Sequence, residues 1–88
     1  MTAENETATE EARLSERVRA LLASNELPRE PATHVWGGPG GGYRCAVCQA
    51  PISTEQMEFE ALFPSQTTAR FHRACHAAWE RERRRMRQ

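Results

Sequence analysis

The chain has 88 residues, with twelve acidic and twelve basic side chains and a formal net charge of zero. Hydrophobic residues make up 39% and charged residues 27%, which predicts one short domain whose core is too small to be stable without a metal ion or disulfides. Three cysteines are an odd number and cannot close into a complete internal disulfide set, no stretch is apolar enough for a membrane span, and a neutral balance argues against binding DNA mainly by charge.

The opening Met1–Thr7 is acidic and polar, without the apolar core of a signal peptide. The expectation is a disordered acidic tail over residues 1–8 of a cytoplasmic protein whose thiols stay reduced. Thr7 and Glu10 have the spacing of a capping box. Leu14, Val18, Leu21 and Leu22 then recur at helical spacing as one narrow apolar stripe. Glu10, Glu11 and Glu16 precede Arg17 and Arg19, an order that suits the helix dipole. An amphipathic helix is expected over residues 9–26, ended by Ser24-Asn25 and Pro28.

Residues 27–42 read as a connector rich in proline and glycine, extended where each proline pushes its predecessor out of the helical region. Val35 and Trp36 are expected to anchor it to the core. Gly37-Gly-Pro-Gly-Gly-Gly42 reads as a flexible turn and lacks the Gly-Lys-Ser/Thr of a phosphate loop. Tyr43 to Ile52 carries two thiols in a tight turn. Met57, Phe59 and Ala61 alternate with Glu58 and Glu60, the period of a half-exposed strand. Pro64–Thr68 predicts a turn and Ala69–Phe71 the returning strand. A second helix is expected from about His72 to the end, with Cys75, Trp79 and Met86 near one face and an arginine-rich tail.

Cys45-x-x-Cys48 and His72-x-x-Cys75 are two ligand pairs at the two ends of the predicted hairpin, a separation suited to one tetrahedral Zn²⁺. Two thiolates two residues apart in a tight knuckle converge on one ion. At a helix start, residues i and i+3 share a side, and the partial positive charge there favours the thiolate of Cys75. His72 and His76 at i, i+4 form an alternative second pair, which would leave Cys75 free. A redox Cys-x-x-Cys would need a βαβ context and no His-x-x-Cys partner. Three thiolates, a neutral imidazole and Zn²⁺ sum to a charge of −1, which Arg44 or Arg73 could offset.

Knuckle, hairpin and ligand-bearing helix together resemble the layout of treble-clef zinc fingers. The segments Leu27-Pro, Val35-Trp-Gly-Gly-Pro-Gly40, Cys45-Ala-Val-Cys48, Met57-Glu-Phe-Glu60 and Phe71-His-x-x-Cys-x-x-Ala-Trp-Glu80 are similar to a family of small uncharacterised bacterial proteins. The resemblance runs from about Leu14 to Arg83, implies the same four ligands and brings no activity with it. The expected fold class is therefore α+β: an N-terminal helix before a zinc-stapled treble clef over residues 43–88.

Four protein ligands close the coordination sphere, whereas a catalytic zinc keeps a position open for water. The chain has no aspartate, His34 stands apart in the connector, and the hairpin from Met57 to Phe71 lacks the histidine that a His-metal nuclease requires. The expectation is a non-enzyme with one structural zinc, acting as a protein-interaction or regulatory factor, with no membrane or small-molecule partner. The alternative is nucleic-acid binding through Arg81, Arg83, Arg84, Arg85 and Arg87.

Overall fold

A computed structural model describes the backbone of residues 3–86 and the side chains of residues 9–86. In chain order it contains α1 (Ala3–Ala23), β1 (His34–Pro39), β2 (Met57–Leu62), β3 (Thr68–His72) and α2 (Arg73–Met86). The three strands form one antiparallel sheet in the order β1-β2-β3. The class is α+β, and among the described residues no helix is long and apolar enough to cross a membrane.

Helix α1 begins at Ala3, so residues 3–8 belong to its first turns rather than to a disordered tail. Thr7 lies within the helical span, and its side chain, on which the expected cap depends, lies outside the described residues. The C-terminal end follows its sequence signal closely. Asn25 takes a positive φ of 65°, Glu26 N–H donates to Leu21 at 2.9 Å and Asn25 N–H to Leu22 at 3.2 Å. That is the hydrogen-bond pair of a Schellman motif, with asparagine in the left-handed position usually taken by glycine. Val18 and Leu22 are fully buried, with Leu14 and Leu21 packed beside them. The stripe read from the sequence is the face that enters the core.

The connector is more ordered than its composition suggests. Residues His34–Pro39 pair with β2 along their whole length, from His34 opposite Leu62 to Pro39 opposite Met57. Gly40 N–H donates to Gln56 at 2.9 Å, and hydrogen-bonding positions alternate along an antiparallel pair, so the nitrogen of Pro39 faces the open edge and costs the ladder nothing. Gly40 is obligatory: a Cβ there would stand 2.2 Å from the Ser53 carbonyl oxygen and 2.5 Å from that of Ile52. Val35 and Trp36 do not anchor the connector. Both are exposed, Trp36 by 47%, and its ring packs on His34 at 4.2 Å between centroids. Backbone pairing holds this strand, because among the described residues α2 touches β2 and β3 but not β1.

The β2–β3 connection is a type I turn on Pro64-Ser65 followed by Gln66 at φ 70°. Gln66 N–H donates to Phe63 at 2.8 Å, and Phe63 N–H to Thr67 at 3.0 Å. This is the usual three-residue hairpin closure. The side of the sheet carrying Phe59, Ala61, Ala69 and Phe71 faces α2, where Trp79 is fully buried. The Trp79 ring stacks on Phe71 at 5.5 Å and meets Phe63 edge-on at 5.6 Å. Its indole N–H donates to the Pro28 carbonyl at 2.9 Å, so the connector's first proline is tied to the centre of the core. Met86, expected on the same face as Trp79, is exposed.

Helices α1 and α2 meet through a buried carboxylate. Glu82 is 1% exposed and is surrounded by Arg19 at 3.2 Å, Arg81 at 3.5 Å and Arg85 at 3.5 Å. Burial opposes its charge, yet hydrogen bonds from Arg19 and Ser15 and the charges of Arg85 and Arg19 hold its carboxyl below the usual range.

Two measurements test this packing. Deleting residues 1–25 removes Val18 and Leu22 from the core and should lower the melting temperature, a loss of about 3–6 kcal/mol for the two side chains. An unchanged melt would mean that α1 contributes nothing to the sheet module. For Glu82, a folded-state pKa below the unfolded value of about 4.3 gives a stabilisation that is complete above that pH and lost as pH falls through the folded value. Glu82→Gln should therefore cost about 1.5–3 kcal/mol at neutral pH, and thermal melts should show the gap to wild type closing on acidification.

Candidate metal centre

Residues Cys45–Gln49 form a tight turn because Gln49 N–H donates back to Cys45 at 3.0 Å and Gln49 adopts φ 66°. Cys45 N–H donates to Ala50 at 2.9 Å, and Arg44 bridges Pro51 across the turn. Val47 N–H points at the Cys45 sulfur at 3.4 Å, the backbone contact expected of a thiolate knuckle. Val47 and Ile52 are fully buried and seat the turn on the core. Ala46 N–H donates to Arg70 at 2.8 Å, which fixes the knuckle to β3, and Arg17 donates to the Val47 carbonyl from α1.

The second pair straddles a junction. His72 is the last residue of β3 and Cys75 lies in the first turn of α2, so the two do not share a helical turn as their spacing implied. The strand end delivers the imidazole and the helix start delivers the thiol. The ligand atoms of Cys45, Cys48, His72 and Cys75 all lie within 4.8 Å of one another. In a tetrahedral zinc site with bonds of about 2.0–2.3 Å, ligand atoms stand roughly 3.3–3.8 Å apart. The four residues are close enough to bind one metal ion, and the set fits structural zinc.

His76 is not part of this cluster. Its ring is stacked on Phe59 at 4.9 Å and meets Phe71 at 5.5 Å and Trp79 at 5.7 Å. Burial there, opposed by the charge of Glu80 and aided by that of Arg83, lowers its pKa. The alternative of a two-cysteine, two-histidine set is therefore not the one the fold assembles.

The electrostatics of the cluster explain why a cation belongs in it. No disulfide joins the three cysteines. Cys45 is held far below the usual thiol range by a hydrogen bond from Cys75, against the effect of burial, with backbone N–H groups of Cys48, His72 and Val47 adding to it. Cys75 is pushed far up by the same hydrogen bond, by burial, and by the charges of Cys45 and Cys48. The first sulfur's charge is stabilised at the expense of the second. A divalent ion held there would remove that conflict by accepting the sulfurs as thiolates.

Sequence reasoning missed Gln56. Its side-chain oxygen accepts the Ser53 N–H at 2.8 Å and lies 3.2 Å from His72 Nε2, while His72 Nδ1 faces the Cys48 sulfur at 3.3 Å. Nothing in the local pattern Ser53-Thr-Glu-Gln56 announces this contact, because it depends on where β3 ends. Of the two arginines proposed as a counter-charge, Arg44 donates to the Gln49 carbonyl at 2.8 Å and Arg73 is exposed.

The arginine tail is placed differently from the expectation of a free basic surface. Arg81 donates to Ser15 at 2.7 Å, Arg83 and Arg84 pair with Glu80 at 3.0 Å, and Arg85 pairs with Glu82. Arg83 is only 7% exposed and lies over the Trp79 ring at 5.2 Å, so it belongs to the core margin. Arg87 lies outside the described residues. Comparison of the chain with protein-family models, curated proteins and solved structures finds no match in any of the three.

The ligand assignment is tested by exchange. Cys75→Ser should abolish uptake of the single metal equivalent, and His76→Phe, which keeps the aromatic packing, should retain it. Cobalt substitution reads both outcomes through the thiolate-to-metal absorption band. A bound ion in Cys75→Ser together with its loss from His76→Phe would move the site to His76.

Proposed function

We propose that this protein is a treble-clef zinc module whose ion is structural and whose task is to bind another protein. The observation that carries the metal half of this reading is the convergence of Cys45, Cys48, His72 and Cys75 within 4.8 Å. Cys45 and Cys48 come from the knuckle, His72 from the end of the hairpin and Cys75 from α2, the same three parts a treble clef uses. Four protein ligands leave no coordination position for water, which supports a structural rather than a hydrolytic role. Zinc bound there would supply folding free energy, on the order of 10–16 kcal/mol in apparent binding, to a core of few residues. Reduced thiols suit a cytoplasmic setting.

The partner half rests on the pairing of the tail. Arg81, Arg83, Arg84 and Arg85 each contact Glu80, Glu82 or Ser15, so a phosphate backbone would have to compete with carboxylates already in place. Strand β1, by contrast, exposes Val35 on one face of the sheet edge and Trp36 on the other, and Met57 of β2 is exposed as well. Aromatic and apolar side chains around an unpaired strand edge suit an extended protein segment. Nucleic-acid binding remains the second reading, drawn from the same arginines.

Elemental analysis should find one zinc per chain, and chelation should unfold residues 43–79. Titration with duplex and single-stranded DNA should show no binding at physiological salt. Steep salt-dependent binding, with log K falling at a slope of about −3 to −5 against log salt, would favour the second reading. A metal-free chain with an unaltered fold would remove the first.

A further inference from the structure

His72 can offer an ion either ring nitrogen, and the surrounding hydrogen bonds decide which. The Ser53 N–H reaches one atom of the Gln56 side-chain amide at 2.8 Å. A backbone N–H only donates, so that atom must be the amide oxygen. The same oxygen lies 3.2 Å from His72 Nε2. An amide oxygen only accepts, so Nε2 carries the ring hydrogen and the lone pair of the neutral imidazole is on Nδ1. Nδ1 is the nitrogen that faces the Cys48 sulfur.

We propose that Gln56 is a positioning residue of the metal centre: its side-chain oxygen holds His72 in the Nε2–H tautomer and aims Nδ1 at the ion. This deepens the zinc reading and rests on it. Gln56 is itself held on its main chain, where its N–H donates to Ser53 at 3.0 Å and its carbonyl accepts the Gly40 N–H at 2.9 Å. The acceptor that orients the imidazole is thus fixed by the backbone of two neighbouring segments. A carboxylate in its place would also accept this hydrogen bond.

The test uses the full chain loaded with zinc. Isotope-edited spectra of the histidine ring should show the hydrogen of His72 on Nε2 and the metal on Nδ1. Gln56→Leu should weaken zinc binding by about tenfold in competition with a chelator, the low end of the range for such partners, because Gln56 is exposed and water can stand in for the amide. The same variant should exchange its Nε2 hydrogen with solvent faster. Gln56→Glu restores an acceptor and should bring exchange and affinity back toward wild type. Zinc on Nε2, wild-type affinity and exchange in Gln56→Leu, or no recovery in Gln56→Glu would each overturn the role of Gln56 while leaving the zinc site standing. A wild-type chain that takes up no zinc would bring down both.

Discussion

The convergence of three sulfurs and one imidazole on a single point is the constraint around which this fold is arranged. Cys45, Cys48 and Cys75 converge with His72, and the hydrogen bond between Cys75 and Cys45 drives those two thiols in opposite directions. The chain spends much of its irregular backbone on reaching this geometry. Two backbone positions matter here for different reasons: Gly40, pressed against two carbonyl groups, and Gln49, turned into the left-handed region so that the knuckle can close. The three-stranded sheet holds the two halves of the site at a fixed separation. Helix α1 contributes from outside, through Val18, Leu22 and the Arg17 contact to Val47.

What was legible in the sequence was local. The four candidate ligands could be read because each pair is separated by two residues, and a cysteine or histidine has few reasons to recur at that spacing. The stripe on α1 and the alternation in β2 could be read because periodicity is itself a local property. Strand β1 could not. Its sequence His34-Val-Trp-Gly-Gly-Pro39 has glycine and proline where a strand would show alternation, and its order comes from β2, about two dozen residues later in the chain. Exposure of Trp36 was equally hidden, since an aromatic in a connector usually marks a buried anchor. Gln56 belongs to the same class: an exposed amide acquires a role only when the end of another strand is placed beside it.

The tail shows how composition misleads when partners lie one turn away. Arg81-Glu-Arg-Arg-Arg85 reads as a basic run, yet Glu80 and Glu82 sit at helical spacing from it and pair with its arginines. Glu82 also reaches across to Arg19, so a carboxylate that pairs with the tail also joins the two helices. Surface ion pairs contribute little to stability. This group differs because its carboxylate is buried, and losing a single member would leave that charge uncompensated. Helix packing and tail charge are therefore one arrangement rather than two.

The two tryptophans end up in opposite surroundings, with a practical consequence. Trp79 is fully buried and bonded to the Pro28 carbonyl, whereas Trp36 is 47% exposed on the sheet edge. Their emission separates by environment: the buried indole lies out of reach of a polar collisional quencher and the exposed one within it. Intrinsic fluorescence from the unmodified chain thus carries two channels. The quenchable fraction reports what happens at the β1 edge, and the protected fraction reports the integrity of the core.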